Sequence, residues 1–484
     1  MHTTKKIAGG LAIGCALVLA AACNLPSNLT KNPNDLKSPS SYDSSKVAST
    51  DTTNTGKVRW REFFTDPYLV TLIDTALKNS QELNIRALEI EISRNEIRAR
   101  KGEYLPFLGL RAGAGVDKVG RYTNIGASEA TTDIKPGKET PDPLPNYYLG
   151  AFANWELDIW RKLRNAKKAA VSRYLASAEG RNFAITNLVS EIANSYYELL
   201  ALDNELAIIK QNIELQTNAL EIVRLQKQTA RVTELAVRRF EAQVLSTRAM
   251  QFNVQQQIIE MENRINFLIG RFPQPVQRSN QGFNTLVPAT VSTGIPSQLL
   301  RNRPDIRQAE LEIAAAKLDV KSARANFYPS LAISGGIGFN AFNPSYLVTT
   351  PESLIYSLAG DLMAPLINRN AIKATYYNAT ARQLQTVYEY QRTVLNGYVE
   401  VANQVSNVRN LQASYDLKAQ QVEALNASIT ISNNLFRSAR ADYMEVLLTQ
   451  RDALEARFQL IETKLKQMNA TVNIYRALGG GWQQ

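Results

Sequence analysis

The chain has 484 residues, a formal charge of +11, two Cys and a single His at position 2. The positive charge is diffuse, with no basic run interleaved with aromatics, which argues against a nucleic-acid partner. If the N-terminal stretch is removed, no imidazole remains, so Ser-His-Asp, Cys-His and His-metal chemistry are excluded. No carboxylate pair stands out from ordinary helix surface either. An enzyme is not expected, nor any metal or cofactor beyond a covalent lipid.

Lys5 and Lys6 precede an apolar or small stretch over residues 7–22 that is too short to span a bilayer and reads as an export signal. Ala20-Ala21-Ala22-Cys23 resembles a bacterial lipobox, with Ala20 where Leu is usual. Residues 1–22 are therefore expected to be a lipoprotein signal peptide, with Cys23 acylated at the start of the mature chain. Asn24 after that cysteine implies sorting to the outer membrane of a Gram-negative bacterium. Residues 23–57 are rich in Ser, Thr, Asn, Asp and Pro, cannot bury a core, and read as a flexible tether.

A first repeat is expected over 58–270. Its opening helix, 67–104, stops before Pro106, and the period then changes from 3.6 to 2. Leu108, Leu110, Ala112, Ala114 and Val116 alternate with Gly109, Arg111, Gly113, Gly115 and Asp117. A second strand is marked by Tyr147, Leu149, Ala151, Ala153 and Trp155, after a polar loop over 118–146. A long helix follows over 163–229, roughly 100 Å at about 1.5 Å per residue. In it Ile185, Ile192, Leu199, Leu206, Ile213 and Leu220 recur every seven residues, a coiled-coil signal. Leu188, Leu202, Ile209 and Val223 give the second seam, interrupted by Ser195 and Gln216. The return arm covers 232–269.

Residues 271–295 form a linker rich in Pro, Gly and Asn, and a second repeat occupies 296–482. It begins with a helix over 297–326. After Pro329 come Leu331, Ile333, Ile337 and Phe339, a polar loop over 340–353, and a strand marked by Tyr356, Leu358 and Leu362. Helices are predicted over 371–438 and 443–478. Adding 209 to the first heptad run gives Val394, Val401, Val408, Tyr415, Val422 and Ile429, and the hairpin turn Thr229-Ala230-Arg231 becomes Ser438-Ala439-Arg440. The chain thus reads as a duplication. Four strands that are apolar on one side suit a membrane barrel but are too few to close one, so several chains would have to share it. Half-buried soluble hairpins would give the same alternation.

Trp155-Glu156-Leu157-Asp158-Ile159-Trp160-Arg161-Lys162-Leu163-Arg164 resembles the strand-to-helix signature of the TolC-like outer-membrane factors, in their NodT-type lipoprotein branch. Gly294-Ile295-Pro296-Ser297-Gln298-Leu299-Leu300, then Arg303-Pro304-Asp305-Ile306-Arg307, is similar to that branch's midpoint motif, and Ala477-Leu478-Gly479-Gly480-Gly481-Trp482 to its ending. The resemblance covers about residues 58–482. It implies an α+β membrane protein, a homotrimer with a shared twelve-stranded antiparallel β-barrel and a long periplasmic α-helical coiled-coil barrel. It further implies a periplasmic adaptor, an inner-membrane pump of the resistance-nodulation-division class, and outward passage of small molecules. An exit duct for type I protein secretion and, in another class, a periplasmic coiled-coil adaptor or rod are the alternatives. With no His or Met clusters, nothing marks a dedicated copper or silver pathway. By the same resemblance Thr229, Ala230, Arg231, Ser438, Ala439 and Arg440 are expected to dock the adaptor. Glu445 is expected to form the periplasmic gate, with Leu448 at the family's second acidic position and Asp442 as a substitute charge.

Overall fold

The computed structural model describes residues 41–42, 53–279, 283, 286–367, 369–438 and 440–483. The expected signal segment, Cys23 and Ala439 lie outside them. Asp66 caps the first helix, α1 (Pro67–Asn79), by accepting from the Tyr68 amide, with Pro67 in the first turn. Ser80 then interrupts the chain, so the single helix expected over 67–104 is two, the second being α2 (Gln81–Glu103). After Pro106 come β1 (Phe107–Asp117) and β2 (Leu144–Leu157). The polar segment between them is more ordered than a loop, with a short helix Asn124–Glu129 and a ribbon pairing Asp133–Lys135 with Lys138–Glu139. The long hairpin is α3 (Lys162–Gln228) and α4 (Glu234–Leu268).

The second half follows the same order: α5 (Pro304–Ala325), β3 (Ser330–Ala341), β4 (Leu354–Met363), α6 (Asn370–Arg437) and α7 (Tyr443–Ala477). Its long helix has 68 residues against 67 in α3, and the return arms have 35 each.

By compactness the described residues form two units. One takes residues 91–175 and 311–387; the other takes residues up to 90, 176–310 and 388–483. The first unit holds a four-stranded antiparallel sheet in the order β1-β2-β3-β4. Register places Leu110 beside Ala151, Ala151 beside Ile337 and Ile337 beside Tyr356, so the apolar sets of all four strands share one face. That face is bare: Leu110 is 84% and Leu358 82% exposed.

The second unit has a core of Trp60, Phe64, Leu69, Ile73, Ile192, Leu199, Ile265 and Tyr475. Heptad positions Ile185, Ile192, Leu199 and Leu220 are buried. The interruption at Gln216 is buried too, its side-chain oxygen accepting from the Thr247 hydroxyl at 2.8 Å. The tether expected to reach residue 57 is packed before that point. Tyr42 stacks on Tyr398, and the Thr55 amide donates to the Ser292 carbonyl at 2.9 Å. That ring stack and that backbone pairing outweigh the polar composition, which by itself predicts flexibility. Among the described residues no helix is long and apolar enough to cross a membrane.

Candidate gate and hairpin tips

Both long helices end in the same way. The Arg231 amide donates to the Gln226 carbonyl at 3.0 Å, and the Arg440 amide to the Leu435 carbonyl at 2.9 Å. In the first hairpin Ala230 also donates to Lys227, completing a Schellman closure with Ala230 at φ +56. The same closure ends both return arms, where the left-handed residue is Gly270 (φ +74) or Gly479 (φ +88). Alanine at the tip keeps the turn a glycine would make and stores about 1–2 kcal/mol in it. Thr229 and Ser438 spend their hydroxyls on carbonyls of their own helices, while Arg231 and Arg440 are exposed.

Past the second tip, Asp442 is the N-cap residue of α7, with no side-chain capping bond. Glu445 lies in the first turn, its amide donating to the Asp442 carbonyl at 3.2 Å. Val446 and Gln450 are buried, while Asp442, Glu445 and Leu448 are exposed. Three-residue spacing puts those three on one stripe. Among the described residues neither carboxylate has a hydrogen-bond or ion-pair partner, and Arg451 pairs with Asp452 instead. The first hairpin differs: its Glu234 is neutralised by Lys227 and Arg238, which hold that carboxyl below its usual range. Arg239 of α4 also reaches the Met444 sulfur at 3.1 Å. That link lay beyond sequence reasoning, because the two residues are 205 positions apart.

The motifs that carried the resemblance are joints. The Asp158 carboxylate, 3% exposed, accepts from the Leu163 and Arg164 amides at 3.0 and 2.9 Å and so starts α3. Trp160 donates to the Pro329 carbonyl at 2.8 Å and stacks on Tyr328. At the midpoint, the Arg303 guanidinium is 4% exposed. It donates to both oxygens of Asp305, to Glu400 at 2.7 Å and to the Ala477 carbonyl at 2.9 Å. Gly397 makes room for it, since a Cβ there would stand 3.1 Å from Arg303 Nε.

A family model described as outer membrane efflux protein matches residues 72–271 and 295–480. The pyoverdine export outer membrane protein OpmQ of Pseudomonas aeruginosa is 27% identical over 97% of this chain and 96% of its own length. SilC of Salmonella typhimurium, named a probable outer membrane lipoprotein, is 25% identical over 98% of each. In fold the chain is similar to the open-state MtrE outer membrane channel of Neisseria gonorrhoeae. The TM-score is 0.82 at 22% identity, over 95% of this chain and 99% of that one.

Proposed function

The chain belongs to the outer membrane efflux protein family, and from that premise we propose that three copies close one twelve-stranded barrel and one periplasmic helical duct, the exit channel of a tripartite small-molecule efflux pump. The observation that carries this reading is the pair of sheet edges. β1 and β4 each have a neighbour on one side only, in a sheet whose one face exposes Leu108, Leu110, Leu358 and Leu362. In lipid an open edge leaves backbone groups unpaired at several kcal/mol each, and four strands cannot close on themselves. Three chains remove every edge. The helices support the same assembly. Where α3 buries much of its seam, α6 leaves Leu395, Val399, Leu417 and Ile431 exposed, apolar surface that a neighbouring copy would cover.

In this reading the tips at Thr229-Ala230-Arg231 and Ser438-Ala439-Arg440 meet a periplasmic adaptor, which links the duct to an inner-membrane pump of the resistance-nodulation-division class. Asp442 and Glu445 ring the periplasmic mouth with charge and Leu448 narrows it. Acylation of Cys23 holds each copy at the membrane before the barrel closes. A trimer that survives detergent electrophoresis without heating, and discrete single-channel steps in planar bilayers, are the expected results. A monomer that never conducts would sink the reading.

A further inference from the structure

On the sheet face opposite the leucines, register sets bulk against glycine. Gly109 faces Phe152, Arg111 faces Gly150 and Gly113 faces Tyr148. The two rings lie close over the β1 glycines: a Cβ at Gly109 would stand 2.7 Å from Phe152, and one at Gly113 would stand 2.4 Å from Tyr148. The Arg111 guanidinium is 5.2 Å from the Phe152 ring centroid. It is exposed and has no carboxylate partner among the described residues. Across the sheet Gly150, Gly336 and Gly338 leave a floor without side chains, and Ser357 stands on the far side. Together these groups bound a hollow of about 400 Å³.

We propose that this hollow is a subsite for small aromatic anions, flat rings bearing a carboxylate, that pass along the inner face of the barrel. The proposal rests on reading the sheet as barrel wall with this face inward. The Arg111 guanidinium, which has no carboxylate partner among the described residues, attracts the carboxylate and can hold it by two parallel hydrogen bonds. Phe152 and Tyr148 offer ring faces and edges to the aromatic part. The bare floor admits a flat molecule, and the volume lies in the range of small-ligand pockets. A cationic ligand is repelled by Arg111, and an uncharged aliphatic one gains nothing from either the cation or the rings.

The test uses the full-length protein in planar bilayers, with 1-naphthoate as probe and neutral 1-naphthalenemethanol as its control. Naphthoate is expected to block the current and the neutral probe to leave it unchanged. Arg111→Gln should raise the half-blocking naphthoate concentration at least tenfold. Phe152→Leu, which keeps the charge, should raise it about threefold. Equal block by the two probes, or block indifferent to Arg111→Gln, overturns the subsite in a working channel. An effect of Arg111→Gln with none of Phe152→Leu reduces it to a diffuse field and overturns it as well. Absence of conductance in wild type and variants alike overturns the barrel reading, and the subsite falls with it.

Discussion

The Tyr196 hydroxyl donates to the Asp66 carboxylate at 2.6 Å from a ring buried in the core of the second unit, and the bond itself is part-buried. The other oxygen of that carboxylate caps α1 through the Tyr68 amide, and the Tyr196 oxygen accepts from the Ser279 amide in the linker. One side chain of α3 thereby fixes the start of α1 and the path of the linker. Tyr196→Phe removes a hydrogen bond to a charged acceptor and should cost about 1.5–3 kcal/mol. Urea unfolding of the variant beside wild type measures it, and an unchanged midpoint would show the bond to be idle.

Arg303 and Glu400 form a second joint, with the arginine buried and the glutamate half-buried. Arg303→Ala removes the guanidinium from Asp305 and leaves Glu400, 30% exposed, with only Arg476 at 3.8 Å, and should destabilise the protein by about 1.5–3 kcal/mol. The double variant with Glu400→Ala should lose less than the sum of the single losses. Strict additivity in that cycle would mean the pair is not coupled.

At the first hairpin tip, Ala230→Gly relieves the left-handed strain and is expected to raise stability by up to about 1 kcal/mol. The same change at Ala236, buried in the first turn of α4, should lower it by up to about 1 kcal/mol. Thermal unfolding of both variants distinguishes the two positions, and a matching loss at both would remove the strain argument.

Burial and the nearby charge of Glu462 push the Glu205 carboxyl from 4.5 up to about 7. Between those values the folded chain binds a proton the unfolded chain has lost, so stability contributed by this site falls as pH rises from about 4.5 through about 7. Glu205→Gln should therefore gain on wild type at pH 8 and not at pH 4. Urea midpoints at the two values test this, and a gain of equal size at both would assign the effect to something other than titration.

For the gate, Glu445→Ala channels in planar bilayers are expected to lose cation selectivity, and Leu448→Ala to raise the resting current. Asp442→Asn on its own should lower selectivity as well. If no substitution changes the current, the narrow point lies elsewhere.

What the sequence determined by itself was what repeats locally. Alternation after Pro106 and Pro329 located β1 and β3, and heptads from Ile185 and Val394 located the long helices to within a residue or two of their ends. Periodicity is a property of neighbouring residues on one element, so it survives without knowledge of the rest of the chain. Asp442, Glu445 and Leu448 were singled out by the family resemblance, and their spacing added only that they share one stripe. The break at Ser80 and the packing of Tyr42 against Tyr398 were not legible. Nor were the pairings of Tyr196 with Asp66, 130 positions away, or of Arg303 with Glu400, 97 positions away. The setting of Arg111 between two aromatic rings also needed the register of β1 on β2. Such partners are chosen when separate elements pack, and the tertiary structure alone decides them, because the energy of a buried polar contact depends on who faces it and not on who precedes it.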